Sequence, residues 1–135
     1  MGAWDYDTFD NDTACDWAYA LEKSDDLSVI KHTLNEVIEN DNDYLDSDVA
    51  SEGLAACDTL ARLRGTFGVR NSYTEAVDNW VAGHPDLDAA PLLPLAHRVI
   101  DRILGEDSEL VELWEDSGAY DKWRAKVDSL RSRLE

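Results

Sequence analysis

The chain has 135 residues, of which 44% are hydrophobic, and its 30 Asp and Glu residues against 12 Lys and Arg residues give a formal net charge of −18. This length suits one domain with a single core, and five tryptophans argue against an intrinsically disordered acidic tail. The negative charge disfavours nucleic acids and anionic lipid surfaces as partners.

No apolar run approaches the roughly 20 residues that a membrane-spanning helix needs. The first residues also lack the basic and apolar regions of a signal peptide. We therefore expect a cytoplasmic protein without a membrane partner. In that compartment the two cysteines, Cys15 and Cys57, are expected to be reduced, although the sequence does not determine their redox state.

Apolar residues recur at helical spacing, and no long stretch alternates apolar and polar side chains as a half-buried strand would. Residues 1–10 are predicted to form a non-helical arm whose aromatic rings, Trp4, Tyr6 and Phe9, pack on the domain. The first helix is predicted to begin with an N-cap at Asn11 or Asp12 and to end near residue 23. Its apolar face consists of Ala14, Trp17, Ala18 and Leu21.

The next two helices are predicted over residues 27–39 and 47–64. Asp46 or Ser47 suits the N-cap of the later helix, and Gly65 suits its C-terminal end, because glycine readily adopts the left-handed conformation found there. One apolar face is expected on the later helix. It consists of Val49, Leu54, Cys57, Leu60 and Ala61.

Residues 65–72 are predicted to form a loop, with Ser72 as the cap of the helix that follows. Four further helices are predicted, over residues 73–82, 88–104, about 108–116 and about 119–134. In the second of these, Pro91 suits the first turn and Pro94 indicates a later start or a kink. The chain is thus predicted to be all-α, a single globular domain over residues 1–135 with about six to seven short helices packed around one core.

No constellation of catalytic residues is visible, so we expect a protein that is not an enzyme. The histidines, His32, His84 and His97, have no zinc-type spacing, and the chain contains no CxxC pair. It also lacks a glycine-rich phosphate loop and a G-x-S-x-G motif. We therefore expect no catalytic residues, no metal site and no cofactor.

One acidic turn has a partial resemblance to a calcium loop. Glu39, Asp41 and Asp43 have the spacing of the first three ligands of an EF-hand, but Tyr44 and Ala50 occupy the positions of its glycine and its last glutamate. A solvated acidic turn is the favoured interpretation. Whether the turn over residues 39–46 binds a cation stays open.

The acidic residues are unevenly distributed. Residues 1–61 hold sixteen acids and two bases, whereas residues 62–135 hold fourteen acids and ten bases. Five of those bases are interleaved with acids on the last helix: Lys122, Arg124, Lys126, Arg131 and Arg133. An acidic region in the first half would attract a basic protein and repel nucleic acid.

The start of the chain carries a more specific pattern. Met-Gly-Ala-Trp stands at residues 1–4, Phe-Asp-Asn-Asp at 9–12 and Ala-x-Asp-Trp at 14–17. This pattern resembles a bacterial family described as domain of unknown function 4259, and the resemblance extends to Trp80-Val81 and to residues 107–115. Residues 5–8 depart from the more glycine-rich segment of the family. The resemblance implies a mostly helical, cytoplasmic, bacterial domain, with no established activity and no catalytic residues.

The leading functional hypothesis is an acidic protein-binding module that docks on a basic protein. An immunity or antitoxin-type protein, or a nucleic-acid mimic that blocks a toxin or nuclease, would have such a charge. The candidate contact residues are Asp25, Asp26, Glu36, Glu39, Asp41, Asp43, Asp46 and Asp48. The alternatives are a structural or housekeeping domain whose acidity serves solubility, and a weak carboxylate metal-binding module. The sequence determines neither the identity of the partner nor the oligomeric state.

Overall fold

A computed structural model describes residues 7–39 and 44–135. Within these ranges the chain forms seven α-helices and one turn of 3-10 helix. The helices are α1 (Asp12–Glu22), α2 (Ser28–Glu39), α3 (Ser47–Leu63), α4 (Glu75–Ala82), α5 (Leu93–Leu104), α6 (Glu109–Ser117) and α7 (Tyr120–Arg133), and the 3-10 turn is Ala90–Leu92. The same residues contain no strand, and Leu45 and Ser108 form an isolated parallel bridge. The predicted all-α fold is confirmed.

Several predicted helix ends are confirmed by their capping interactions. Asn11 caps α1, since its side-chain oxygen accepts a hydrogen bond from Ala14 N at 2.8 Å. Asp46 caps α3 by accepting from Asp48 N at 2.7 Å. Gly65 follows α3 with a φ of +84°, the left-handed conformation expected there.

Two helices begin later than predicted. Helix α4 begins at Glu75, because the side chain of Asn71 accepts hydrogen bonds from Tyr73 N and Thr74 N and holds those residues in a turn. The helix predicted from residue 88 begins instead at Leu93 after the 3-10 turn, so the later start indicated by Pro94 is correct.

Helix α3 is the centre of the domain and contacts each of the other six helices. Positions 53–62 are all buried, so α3 is enclosed on every side instead of along the single face predicted. Small residues allow its neighbours to come close: a Cβ on Gly53 would lie 2.7 Å from Val37 Cγ2 on α2. This central position places both ends of α3 near the surface, where the candidate sites lie.

The N-terminal arm is described from residue 7 onward. Phe9 is 1% exposed and packs in the core, which confirms its predicted packing, and it precedes α1 in a turn. The predictions for Trp4 and Tyr6 concern residues outside the described ranges. None of the described helices is long and apolar enough to span a bilayer.

Candidate binding surface and buried charge network

The structure divides the predicted contact residues between two regions. Asp25 and Asp26 lie before α2, whereas Glu36 and Glu39 lie in its last turns, and a twelve-residue helix separates its ends by roughly 18 Å. Asp26 has a local role: hydrogen bonds from Ser28, including one from Ser28 N at 2.9 Å, lower the pKa of its carboxyl group. Asp41 and Asp43 lie outside the described residues.

Four carboxylates do come together at the start of α3. Burial raises the pKa of Glu52, and the nearby charges of Glu36, Asp48 and Asp46 raise it further. Sequence reasoning missed Glu52, although its i,i+4 spacing from Asp48 on a predicted helix was a usable signal. Glu36, Asp46 and Asp48 of the predicted set therefore share one region with Glu52.

The C-terminal half of the chain contributes further acids to this region. Leu45 N donates to Asp107 O at 2.7 Å, and Glu109 N donates to Leu45 O at 2.9 Å. These bonds join the segment before α3 to the segment before α6. As a result, Glu109 Oε1 accepts from Ser47 N at 2.9 Å and adds a second capping carboxylate to the N-terminus of α3.

Tyr44 lies among these additional acids. Its hydroxyl donates to Glu112 Oε1 at 2.9 Å. Partial burial, this hydrogen bond and the nearby charges of Glu112, Glu109 and Asp107 raise the pKa of Tyr44 to about 12. We define the acidic surface by the carboxylates gathered around Tyr44 and the start of α3. They are Glu36, Asp46, Asp48, Glu52, Asp107, Glu109 and Glu112.

Basic side chains are sparse at the acidic surface. In the described part of the chain, no Lys, Arg or His nitrogen lies within 4 Å of the carboxylates of Asp46, Asp48, Glu52, Glu109 or Glu112. Arg102 lies at the border, where its guanidinium donates to the backbone oxygens of Glu106 and Asp107. Glu36 differs, since its Oε1 lies 2.6 Å from His32 Nε2. The other acids form a region with little internal neutralisation.

The described residues contain no group of three or more His, Cys, Asp or Glu side chains arranged to hold a metal ion. Residues 40–43, half of the turn that partly resembles a calcium loop, lie outside these residues. The structure therefore adds nothing to the metal-binding alternative.

A second group of charges lies at the opposite end of α3 and is buried. The side chain of Arg62 is 2% exposed, and it donates from Nε to Asp58 Oδ1 at 3.1 Å and from Nη1 to Asp78 Oδ1 at 2.8 Å. Burial alone lowers the pKa of Arg62, but Asp58 and Asp78 raise it by more. Arg133 of α7 completes the group with a 2.9 Å bond to Asp58. We call Asp58, Arg62, Asp78 and Arg133 the buried charge network.

The sequence places Arg133 among bases interleaved with acids on the last helix, and the structure gives the partners of four of these bases. Arg133 enters the buried charge network, while Arg131 pairs with Asp101 at 2.6 Å. Arg124 pairs with Asp128 at 3.1 Å, and Lys126 lies 3.4 Å from a carboxylate oxygen of Asp7. Arg124 is thus paired within α7 at i,i+4 spacing, whereas Lys126, Arg131 and Arg133 pair with acids of other elements that the spacing of α7 does not show.

A small cleft opens beside the buried charge network. Its empty volume is about 240 Å³, including the part open to solvent, and Phe9, Asp10, Arg62 and Thr74 are among the residues that line it. Because this volume includes open solvent, the enclosed space is far smaller than the roughly 300–1,000 Å³ that is usual for small-molecule sites. The charged groups of Asp58, Arg62 and Asp78 are bound to one another or to Thr74, so the arrangement is suited to holding helices together.

Comparison with known proteins identifies the family of this chain. The model of the family described as "Domain of unknown function (DUF4259)" matches residues 2–126. No curated protein and no solved structure matches the chain. The match covers most of the chain and agrees with the resemblance seen in its N-terminal motif. The protein therefore belongs to the DUF4259 family.

Proposed function

We propose that the protein is an acidic binding module whose acidic surface docks on a basic protein. The observation that carries this proposal is the grouping of seven carboxylates at the start of α3 with few basic neighbours among the described residues. Like charges held together raise the free energy of the folded chain, and a cationic partner relieves that repulsion. Burial raises the pKa of Glu52, and repulsion by the charges of Glu36, Asp48 and Asp46 raises it further.

The carboxylates differ in how free they are to contact a partner. Asp46 and Glu109 already accept backbone hydrogen bonds at the start of α3. Asp48 and Glu112 are exposed, and each accepts one side-chain hydrogen bond, from the Thr13 hydroxyl at 3.1 Å and from the Tyr44 hydroxyl at 2.9 Å. Asp48, Glu52 and Glu112 are therefore the contacts we expect to matter most, through charge-assisted hydrogen bonds to arginine or lysine side chains of the partner.

The class of partner follows from the same chemistry. A cytoplasmic toxin or nuclease that binds phosphate groups presents a basic surface, and carboxylates set on a rigid helical end would compete for it. Long-range attraction would speed association and would weaken as salt screens the charges. An immunity or antitoxin-type inhibitor, or a nucleic-acid mimic, is accordingly the specific form of the proposal.

Affinity capture followed by mass spectrometry tests the proposal with two variants of equal charge. The site variant carries Asp48→Asn, Glu52→Gln and Glu112→Gln. The control variant carries Glu22→Gln, Asp86→Asn and Asp121→Asn, three exposed acids on other elements. Capture is compared at about 0.1 M and about 1 M salt, where the Debye length is roughly 10 Å and 3 Å.

We expect the wild-type protein and the control variant to retain a basic partner at low salt, and the site variant to lose it. High salt should release the partner from the wild-type protein and from the control variant. Equal loss from both variants would show that bulk charge, and not the acidic surface, governs binding. Capture of no basic protein at low salt would favour a structural domain whose acidity serves solubility.

A further inference from the structure

The end of α3 opposite the acidic surface carries a loop with an unusual surface, which we call the aromatic loop (residues 64–73). In the described chain, five large hydrophobic side chains are exposed, and three belong to this loop: Phe67 at 37%, Val69 at 43% and Tyr73 at 47%. A folded domain gains little from apolar side chains left in water. Grouped exposure of this kind is typical of surfaces that bind other molecules.

The charge of the aromatic loop is opposite to that of the protein as a whole. Residues 59–74 contain three arginines and no Asp or Glu, which makes this the longest acid-free stretch in a chain of net charge −18. One of the three, Arg62, is buried, but Arg64 and Arg70 are exposed. Arg64 Nη1 donates to Glu135 O at 2.8 Å, which leaves its other guanidinium nitrogens for a partner. Arg70 is only loosely paired, with its Nε 3.6 Å from Asp78 and its side chain 63% exposed.

The buried charge network holds the backbone of the aromatic loop. Arg62 Nη2 donates to Val69 O at 2.7 Å, and Arg133 Nη1 donates to Thr66 O at 3.1 Å. The hydroxyl of Thr66 lies 2.8 Å from both Ala61 O and Arg133 O. These bonds fix the loop with its apolar side chains outward, so that a partner would meet an ordered surface and lose little conformational entropy on binding.

Aromatic rings and guanidinium groups are adjacent in the aromatic loop. The guanidinium of Arg70 lies 4.6 Å from the centre of the Phe67 ring, within the range of a cation–π interaction. Tyrosine and arginine are enriched among the residues that contribute most to protein–protein affinity. The loop thus combines a preformed backbone, exposed apolar area and a positive charge.

We propose that the aromatic loop is a second docking surface, for a protein segment that carries an apolar side chain beside carboxylates. The apolar side chain would pack on Phe67, Val69 and Tyr73, and the carboxylates would pair with Arg64 and Arg70. Charge complementarity selects this occupant, because a lysine-rich segment would be repelled by the two arginines. Helix α3 has seventeen residues and spans roughly 25 Å, so the two surfaces lie far enough apart to bind different partners at once.

Selection from a phage-displayed library of random peptides tests the proposal without knowledge of the natural partner. The wild-type protein serves as bait, and the variant Phe67→Ser/Tyr73→Ser removes peptides that bind elsewhere. We expect enriched peptides to combine aromatic or aliphatic residues with Asp or Glu. Affinities of the synthesised peptides are then measured by fluorescence anisotropy.

Three variants show whether these peptides bind at the loop. Binding should weaken about tenfold or more in both Phe67→Ser/Tyr73→Ser and Arg64→Gln/Arg70→Gln, the loss expected when hot-spot residues are removed. The matched control Tyr19→Ser/Arg98→Gln, which changes an exposed aromatic residue and an exposed arginine elsewhere, should bind as the wild type does. Circular dichroism would show whether either loop variant is misfolded. The other variant would then still test the proposal.

The proposal is overturned if no enriched peptide depends on the loop, or if the enriched peptides are basic. It is also overturned if sedimentation shows a dimer that the loop variants dissociate, since the occupant is then a second copy of the chain. Loop-dependent binding of a single-stranded oligonucleotide would overturn it as well. The variant Asp48→Asn/Glu52→Gln/Glu112→Gln should bind the peptides normally, which separates this proposal from the one for the acidic surface.

Discussion

The guanidinium group of Arg133 occupies the space into which a side chain at position 68 would project. A Cβ on Gly68 would lie 2.8 Å from Arg133 Cζ and 2.9 Å from its Nη2. Arg133 has little freedom to withdraw, because its Nη1 also donates to Asp58 and to Thr66 O. Glycine at position 68 is therefore required by contact with the buried charge network.

Replacing this glycine tests the contact. We expect Gly68→Ala to lower the free energy of unfolding by about 1–3 kcal/mol, the range for an overpacked site. Urea denaturation monitored by tryptophan fluorescence measures the change. Gly83→Ala is the control, since a Cβ there would meet no atom closer than 3.6 Å, and its effect should stay within about 0.5 kcal/mol. Equal effects of the two substitutions would contradict the proposed contact.

Removing the central arginine of the network should be more damaging. Arg62→Met removes one of the two guanidinium partners of the buried Asp58 and the 2.8 Å partner of Asp78, and it is expected to destabilise the fold by about 3–5 kcal/mol. Arg124→Met, which breaks an exposed i,i+4 pair with Asp128, should cost no more than about 0.5 kcal/mol. Chemical denaturation of both variants measures these values.

A double substitution checks the energetic coupling between Asp58 and Arg62. Asp58→Asn/Arg62→Met removes both charges, so its destabilisation should be smaller than the sum of the two single effects. Additive effects would show that Asp58 and Arg62 stabilise the fold independently.

Removing the charge of Glu52 from the acidic surface is expected to stabilise the folded protein to an extent that depends on pH. The pKa of Glu52 in the folded chain is raised above its ordinary value of 4.5. The folded chain therefore binds the carboxyl proton of Glu52 more tightly than the unfolded chain does. The stability contributed by Glu52 therefore falls as the pH rises from 4.5 through the raised pKa. Glu52→Gln should stabilise the protein at neutral pH by about 0.5 kcal/mol, the size of an i,i+4 like-charge repulsion.

Thermal unfolding of Glu52→Gln measured at neutral pH and at about pH 4 tests this sign, since the gain should disappear where Glu52 is protonated in both states. Added salt at neutral pH should also reduce the gain by screening the neighbouring carboxylates. Glu22→Gln, which removes one exposed acid elsewhere, is the matched control. The same gain from both substitutions would attribute the effect to net charge alone.

The two free cysteines should differ sharply in reactivity. Cys57 is fully buried with its Sγ 3.6 Å from Ala96 O, and burial raises the pKa of its thiol. Burial and the charges of Asp12, Asp16 and Asp10 also raise the pKa of Cys15, but this side chain is partly exposed. In Cys15→Ala the remaining thiol, Cys57, should react with a disulfide reagent only when the domain opens. Its labelling in the folded protein should be about a thousandfold slower than in the protein unfolded by urea.

Cys57→Ala provides the comparison, because Cys15 should then react in the folded protein, at a reduced rate. Both variants should react equally fast once unfolded. Rapid labelling of Cys57 in the folded protein would contradict its position in the core beside α5.

Local patterns allowed much of the secondary structure to be predicted. Asn11, Asp46 and Gly65 act within a few residues of their own position, so their roles at helix ends can be inferred from neighbouring residues alone. The starts of α4 and α5 were harder to predict, because the turn made by Asn71 and the 3-10 turn before Leu93 compete locally with helix. Among the acidic candidates, the structure places Glu36, Asp46 and Asp48 in one region and Asp25 and Asp26 before α2, and their role as contacts stays a prediction.

The sequence by itself determined the helical class, the main capping residues and the large negative charge, because each depends on composition or on contacts between near neighbours. Only the tertiary structure decided that Glu109 and Glu112 join the acidic surface, through backbone bonds between Leu45 and residues 107–109. It also decided that Arg133 lies beside Asp58, a separation of 75 residues. Contacts between such distant residues depend on how the helices pack, which no spacing along the chain specifies.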